Sequence, residues 1–173
     1  MADMLVKLYK LPELQPALDA LKLLNVFVRP ARIGEDHEIA PWISRHFSSG
    51  WSYGIRYAIE RDPCSTFIAV EKQFADPERK NLYEQPNEQL VGFACYDVSN
   101  RGVFGPIGVQ PSHQGRGIGR ALLLTALHAM WSENYAYAVV GWAGPVAWYE
   151  RIVSAEVIPN SEPGPFRGDL KGS

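Results

Sequence analysis

A chain of 173 residues is long enough for one domain with a real core, and a 46% apolar, 21% charged composition is that of a globular protein. Its formal charge of −2 gives no overall attraction to nucleic acid or anionic membranes, so neither is expected as a partner and any anion site must be local. Residues 1–12 lack a leader-like apolar stretch, no run reaches the roughly 18 apolar residues of a membrane span, and the two cysteines fit free thiols in a reducing cytoplasm.

In chain order, residues 4–9 read as a short strand, and Pro16 opens a small helix whose Ala17, Leu18, Leu21 and Leu24 share one face. Residues 1–24 are taken as an N-terminal extension packed on the domain or on a partner, which leaves a homodimer open. Residues 25–173 are taken as the domain proper. Residues 26–29 alternate as a strand, residues 35–47 form an amphipathic helix expected to break near Pro41, and a second helix covers 53–60. Strands follow over 66–70, 89–98 and 101–109. A polar loop over 76–88 separates the first two, and a turn at 99–102 joins the last two. Cys64 and Cys95 both fall in strand-like runs. Residues 120–133 read as a long buried helix, and 137–141 as a strand covered on both faces. Pro145 suits the first turn of a helix through 146–150. The tail, 155–170, reads as a strand broken by Pro159, a Pro/Gly-rich loop and a further strand. This alternation predicts a mixed α/β sheet with helices on both faces.

The sharpest local signal is Gln114-Gly115-Arg116-Gly117-Ile118-Gly119, set between a strand ending at Val109 and the long apolar helix. A glycine turn feeding a helix N-terminus aims unpaired N–H groups and the positive end of the helix dipole at one point. Without Cβ atoms an anion can approach the backbone, so the turn suits a pyrophosphate. A P-loop needs Lys and a hydroxyl residue where Arg120 and Ala121 stand, and a dinucleotide fingerprint needs a small residue where Arg120 sits. Both alternatives fail.

The run from Val109 through Gln114-Gly115-Arg116-Gly117-Ile118-Gly119 into Ala121-Leu122-Leu123 resembles the phosphate motif of the GNAT N-acetyltransferase superfamily, and Trp148-Tyr149-Glu150-Arg151 is similar to that family's segment after its fifth strand. Together the resemblance covers about residues 89–157. It implies a mostly antiparallel central sheet with helices on both faces and a splayed strand pair forming an acyl-CoA cleft. It implies acetyl-CoA as co-substrate and an amine as acceptor. Backbone groups of Gln114, Gly115, Arg116, Gly117, Ile118, Gly119 and Arg120 would hold the pyrophosphate. Ile107, Gly108 and Val109 would flank the pantetheine arm, opposite residues 139–141, with Gly108 at a strand-opening bulge. The Val109 N–H would polarise the thioester, and Tyr149 would be the general acid. Tyr149 can equally be read as one more aromatic in the Val146, Tyr149, Val153 stripe.

The base stays open among Glu35, Glu60, Asp62 and water. The acceptor pocket is expected from Trp51, Tyr53, Phe104 and Trp142, drawn from an aromatic-rich set that includes Trp42, Phe47 and Tyr57. His37, His46, His113 and His128 have no metal-ligand spacing, and no metal is expected. The Asn that many family members carry after the fifth strand is missing; Gly141-Trp142-Ala143-Gly144-Pro145 stands there. The expected activity is acetyl transfer to a primary amine of a small molecule or peptide. A non-catalytic acyl-CoA-binding module, another acyl donor or a hydroxyl acceptor are the alternatives.

Overall fold

The computed structural model describes residues 1–73, 87–162 and 164. Its strands are β1 (Met4–Lys7), β2 (Val26–Pro30), β3 (Thr66–Gln73), β4 (Asn87–Tyr96), β5 (Val103–Val109), β6 (Tyr137–Val140) and β7 (Glu156–Val157). The helices are α1 (Gln15–Lys22), α2 (Asp36–His46), α3 (Ser49–Ser52), α4 (Ile55–Glu60), α5 (Ile118–Ser132) and α6 (Val146–Val153). One sheet runs in the order β2-β3-β4-β5-β6-β1-β7. Every neighbouring pair is antiparallel except β5 and β6.

Strand periodicity sends alternate side chains to two cores, which is why helices cover both faces. Phe67 and Ala69 of β3 join α5, α1 and β1 in one core, while Ile68 and Val70 meet Ile39 and Ile43 of α2 and Ile55 and Ile59 of α4 in the other. In β4 the phase changes: Val91 shares the α5 core with Ala94 and Tyr96, whereas Phe93 and Cys95 face α2 and α4. The cause is a bulge, since Ala69 pairs with Gly92 but Val70 pairs with Leu90, leaving Val91 as the extra residue. Helix α5 buries residues nearly all round, including Leu122, Leu123, Leu124 and Leu127, because it lies between the sheet and α1.

Residues 1–24 supply an inner strand of this sheet. Met4 pairs with both Val140 and Val157, and Met4, Val6 and Leu21 are fully enclosed. Helix α2 does not break at Pro41. Proline there forgoes the bond to the carbonyl four residues back, but Pro41 is exposed, so water can serve that carbonyl. The buried Ile39 and Ile43 on either side keep the helix together. Cys64 precedes β3 and is half-buried, while Cys95 lies inside β4; both are free thiols. The strand expected in the tail is only β7, two residues long, ahead of Pro159. The expected loop at 76–88 falls outside the described residues except for 87 and 88, which belong to β4, and the last expected strand also lies outside them. No described helix is long and apolar enough to cross a membrane.

Candidate active site

The sheet opens where its one parallel pair runs out. Only Val103 with Val139 and Phe104 with Val140 are in register, and the Val139 N–H donates to the Gly102 carbonyl at 2.9 Å. Strand β6 ends at Val140 while β5 continues to Val109. The sequence places residues 139–141 across the gap; Val139 and Val140 instead close the sheet against Val103 and Phe104, and only Gly141 lies beyond the paired register. The wall opposite residues 107–109 is the segment from Gly144 into α6.

The bulge also differs from expectation. Ala94 pairs with Ile107 and Tyr96 with Phe104, so Gly105 and Pro106 together oppose Cys95 and the extra residue lies there. Gly108 pairs regularly with Phe93. Its glycine serves a different need: a Cβ at 108 would sit 2.6 Å from Phe47 Cζ, inside the ring's contact distance.

Backbone alternation then fixes what β5 offers the gap. The Gln110 N–H donates to Val91 O at 2.9 Å, making 110 and 91 a hydrogen-bonded pair. In an antiparallel ladder the next pair, 109 with 92, turns its N–H and C=O groups away from the partner strand, and so does 107 with 94. Ile107 and Val109 thus direct main-chain groups into the gap. The Val109 carbonyl accepts from Gln114 Nε2 at 3.2 Å, which ties the strand to the following turn.

That turn passes through Pro111–His113, then Gly115 at φ 77° and Gly117 at φ 85°, the left-handed residue that caps α5. The N–H groups of Ile118, Gly119 and Arg120 precede the first possible intrahelical bond, made by Ala121 to Gly117 O at 3.1 Å. A Cβ at Gly119 would meet Trp148 Cζ2 at 3.4 Å and Val109 Cγ2 at 3.7 Å, so side chains crowd this glycine from strand and helix alike.

One cavity of about 570 Å³ gathers Ile107, Gly108, Val109, Gln114, Gly115, Gly117, Ile118, Gly119, Arg120 and Tyr149. Of the expected coenzyme residues, only Arg116 is absent from its lining. The Arg116 Nη2 donates to Glu71 Oε1 at 2.8 Å, away from the turn. His113 Nε2 lies 3.3 Å from the other Glu71 oxygen and its Nδ1 lies 2.9 Å from Ser112 Oγ. Arg116, and after it His113, hold the Glu71 carboxyl below the usual range. His113, Pro145, Trp148, Arg151 and Ile152 also line the cavity and were not singled out from sequence. Trp148 and Arg151 belong to the segment that carried the resemblance but were given no role from sequence, and only the folded α6 brings Trp148 and Ile152 to the glycines.

Tyr149 is 5% exposed and packs edge-on against Trp148 at 4.8 Å. Burial alone pushes its phenol up to about 12, so it is a proton donor across the neutral range.

A second cavity of about 700 Å³ is lined by 103–106 of β5, the strand whose next residues line the first, and by 141–142 after β6. Trp51, Tyr53, Phe104 and Trp142 all line it. Trp42 and Phe47 instead pack with Phe93 against the sheet. Of the expected bases, Glu35, Glu60 and Asp62 line neither cavity. Arg29 donates to both Glu35 oxygens, at 2.7 and 2.8 Å, and Arg56 donates to Glu60 at 2.9 Å. No carboxylate is among the described residues of either lining. In place of the missing Asn, Trp142 takes a left-handed φ of 49° and its N–H donates to Asp3 Oδ1 at 2.9 Å.

The family model described as the acetyltransferase (GNAT) family matches residues 37–151, more than half of the chain. No curated relative matches. Among solved structures, the GCN5-related glucosamine N-acetyltransferase region of a fungal multi-domain GH3 β-N-acetylglucosaminidase superposes with a TM-score of 0.67 at 13% identity, covering 91% of this chain and 19% of that one. A GCN5-related N-acetyltransferase from Sphaerobacter thermophilus gives 0.62 at 16%, covering 91% and 48%. A Drosophila protein gives 0.54 at 13%, covering 92% and 51%. The chain spans about half or less of each of these three structures, and at these identities they speak to the fold. The matched segment begins inside α2 and ends inside α6, so it encloses the opened strand pair, the glycine turn and Tyr149: the chain belongs to the GNAT acetyltransferase family.

Proposed function

We propose that the protein moves the acetyl group of acetyl-CoA to a primary amine of a small molecule or peptide by direct attack. The observation that carries this reading is the single cavity in which the free edge of β5 runs between the glycine turn and the buried Tyr149. Coenzyme A fits the residues present: the N–H groups of Ile118, Gly119 and Arg120 would hold its pyrophosphate, and Ile107 and Val109 would pair with the pantetheine amides as a neighbouring strand does. Arg120 and Arg151 line the same cavity and add positive charge. Arg116, which does not line the cavity and whose side chain pairs with Glu71, takes no part in that grip.

The coenzyme supplies an activated acyl carbon, and the chain's own groups manage charge and protons. Val109 N–H donates to the thioester oxygen as negative charge develops there. The incoming amine forms the C–N bond, the C–S bond breaks, and Tyr149 Oη gives its proton to the departing sulfur. With no carboxylate on the described walls, the ammonium proton leaves to water before or during attack. Burial keeps the Tyr149 phenol protonated across the neutral range, so its proton is in place when the C–S bond breaks.

Thiol release from acetyl-CoA with a panel of primary amines tests this. Tyr149→Phe is expected to lower kcat about 100-fold, within the usual span for losing a general acid, with coenzyme affinity unchanged. Tight acetyl-CoA binding without turnover on any amine would instead mark a binding module. An undiminished kcat in the Phe variant would remove Tyr149 from the chemistry.

A further inference from the structure

The second cavity has a chemistry of its own. Trp51, Tyr53 and Trp142 are 41, 73 and 45% exposed, large apolar surfaces that folding has left uncovered and brought to one place. Among the described lining residues no side chain is acidic or basic; the side-chain polar groups are the hydroxyls of Ser48, Ser99 and Tyr53 and the indole N–H groups of Trp51 and Trp142. Charges beside it are already engaged. Asp3 accepts from the Trp142 N–H, and Glu162 pairs with the Met1 amino group at 2.9 Å.

The two tryptophans are held in place. Trp51 stacks on Phe47 at 5.7 Å with planes 20° apart and lies tilted by 60° to Phe93, with ring centroids 6.4 Å apart. Trp142 occupies a left-handed conformation that bulky side chains rarely adopt. Two contacts from the N-terminal segment fix it there: Asp3, itself 5% exposed, on the Trp142 N–H, and the Ala2 carbonyl accepting from Ala143 N–H at 3.0 Å. A non-glycine residue kept at positive φ by a buried carboxylate is backbone strain maintained at a site.

We propose that this cavity takes a primary amine carried on a flat apolar ring, recognised by its ring and not by its charge. The inference rests on the acetyl-transfer reading for the amine and on the cavity alone for the ring. Trp51, Tyr53, Phe104 and Trp142 supply faces and edges for the ring. Among the described lining residues, a polyamine or an amino sugar finds neither carboxylates nor enough polar side chains to replace its water. Asp3 is a positioning residue that acts through Trp142.

Calorimetric titration of the CoA-bound protein with 2-phenylethylamine, 2-phenylethanol, spermidine and glucosamine tests it. The ring amine is expected to bind at least about tenfold tighter than spermidine or glucosamine, in line with burial of one ring. Phenylethanol is expected to stay within about fivefold of the amine. Trp142→Ala and Asp3→Ala should each weaken phenylethylamine at least about fivefold and leave CoA affinity unchanged. Spermidine or glucosamine binding as tightly, no binding of either ring compound, or a Trp142→Ala protein that binds the ring amine normally, overturns the proposal. Thiol release on the same samples judges acetyl transfer separately: its absence with every amine rejects that reading, while the binding order still decides the cavity.

Discussion

Tyr149 shows how one side chain's environment sets its chemistry. It belongs to the main core and also borders the cavity at the glycine turn, so the burial that packs α6 is the burial that raises the phenol to about 12. An ordinary phenol near 10 is half ionised at pH 10, whereas one near 12 is still about 99% protonated there. The sign is fixed by desolvation, which disfavours the anion. At saturating amine and acetyl-CoA, kcat is therefore expected not to decline between pH 8 and pH 10, read by thiol release in overlapping buffers. A decline centred near pH 10 would mean that the phenol is not shielded. Residues of this kind divide by legibility. Gly117 and Gly119 could be placed at the start of α5 because a glycine turn before an apolar run marks a helix start, and Tyr149 could be placed in α6 from its family segment. Asp3 was not: a carboxylate at position 3 looks like a solvated terminus until the fold sets it on the Trp142 N–H. Gly108 was seen but misread, because the reason for it is the Phe47 ring, sixty-one residues away in sequence.

Helix α5 carries the glycine turn at its start and is pinned at its end. Glu133 caps its C-terminus, where the helix dipole disfavours an anion. Arg61 offsets this by donating from Nη1 to Glu133 Oε1 at 3.0 Å and from Nη2 to the second oxygen, and it lies 3.3 Å from Asp97 Oδ2. Tyr96 also donates to Glu133, and Tyr135 donates to Asp97 at 2.7 Å. The network joins α5 to the end of β4 and to the segment before β3. The Glu133 and Asp97 side chains are 16 and 4% exposed, so removing Arg61 leaves two carboxylates enclosed without a cation. Full burial of such a pair would cost 3–5 kcal/mol on losing one partner; with partial access of water to the guanidinium, Arg61→Ala is expected to cost about 2 kcal/mol. Urea unfolding should show a lower midpoint with an unchanged slope, and Arg61→Lys should fall between, keeping charge but losing the forked geometry. A midpoint equal to the parent's would reduce the network to surface decoration. Elements themselves were legible from period and turn chemistry, as α5, β6 and α6 show. Their continuity was less so: α2 passes Pro41 because buried isoleucines hold both sides, a tertiary fact that no local rule contains.

At the scale of the molecule, β1 decides whether the sheet is complete. Its partners lie far along the chain, Met4 with Val140 and with Val157, so the β6-β1-β7 half forms only from contacts that span nearly the whole sequence. A reading confined to local pattern sees a detached first segment, because nothing near residue 6 marks a partner at 138. The physical test is burial within that strand. Val6 is fully enclosed and sits opposite Ala138, while its neighbour Lys7 keeps a third of its side chain in solvent and pairs with Glu156. Val6→Asp places an unpaired charge between α5 and the sheet and is expected to cost at least about 4 kcal/mol, a large part of a domain's margin. Lys7→Ala removes only an exposed ion pair and should cost under about 1 kcal/mol. Thermal unfolding followed by circular dichroism separates the two, since both changes lie in one strand and leave its backbone pairing to the same partners. The expected outcome is a Val6→Asp chain that is unfolded or melts far below the parent, beside a Lys7→Ala chain that melts with it. If Val6→Asp melts with the parent, residues 1–7 are an appendage and the sheet stands without them. Asp3 would then have no fixed strand from which to hold Trp142, and the ring-binding wall would lose its support with it.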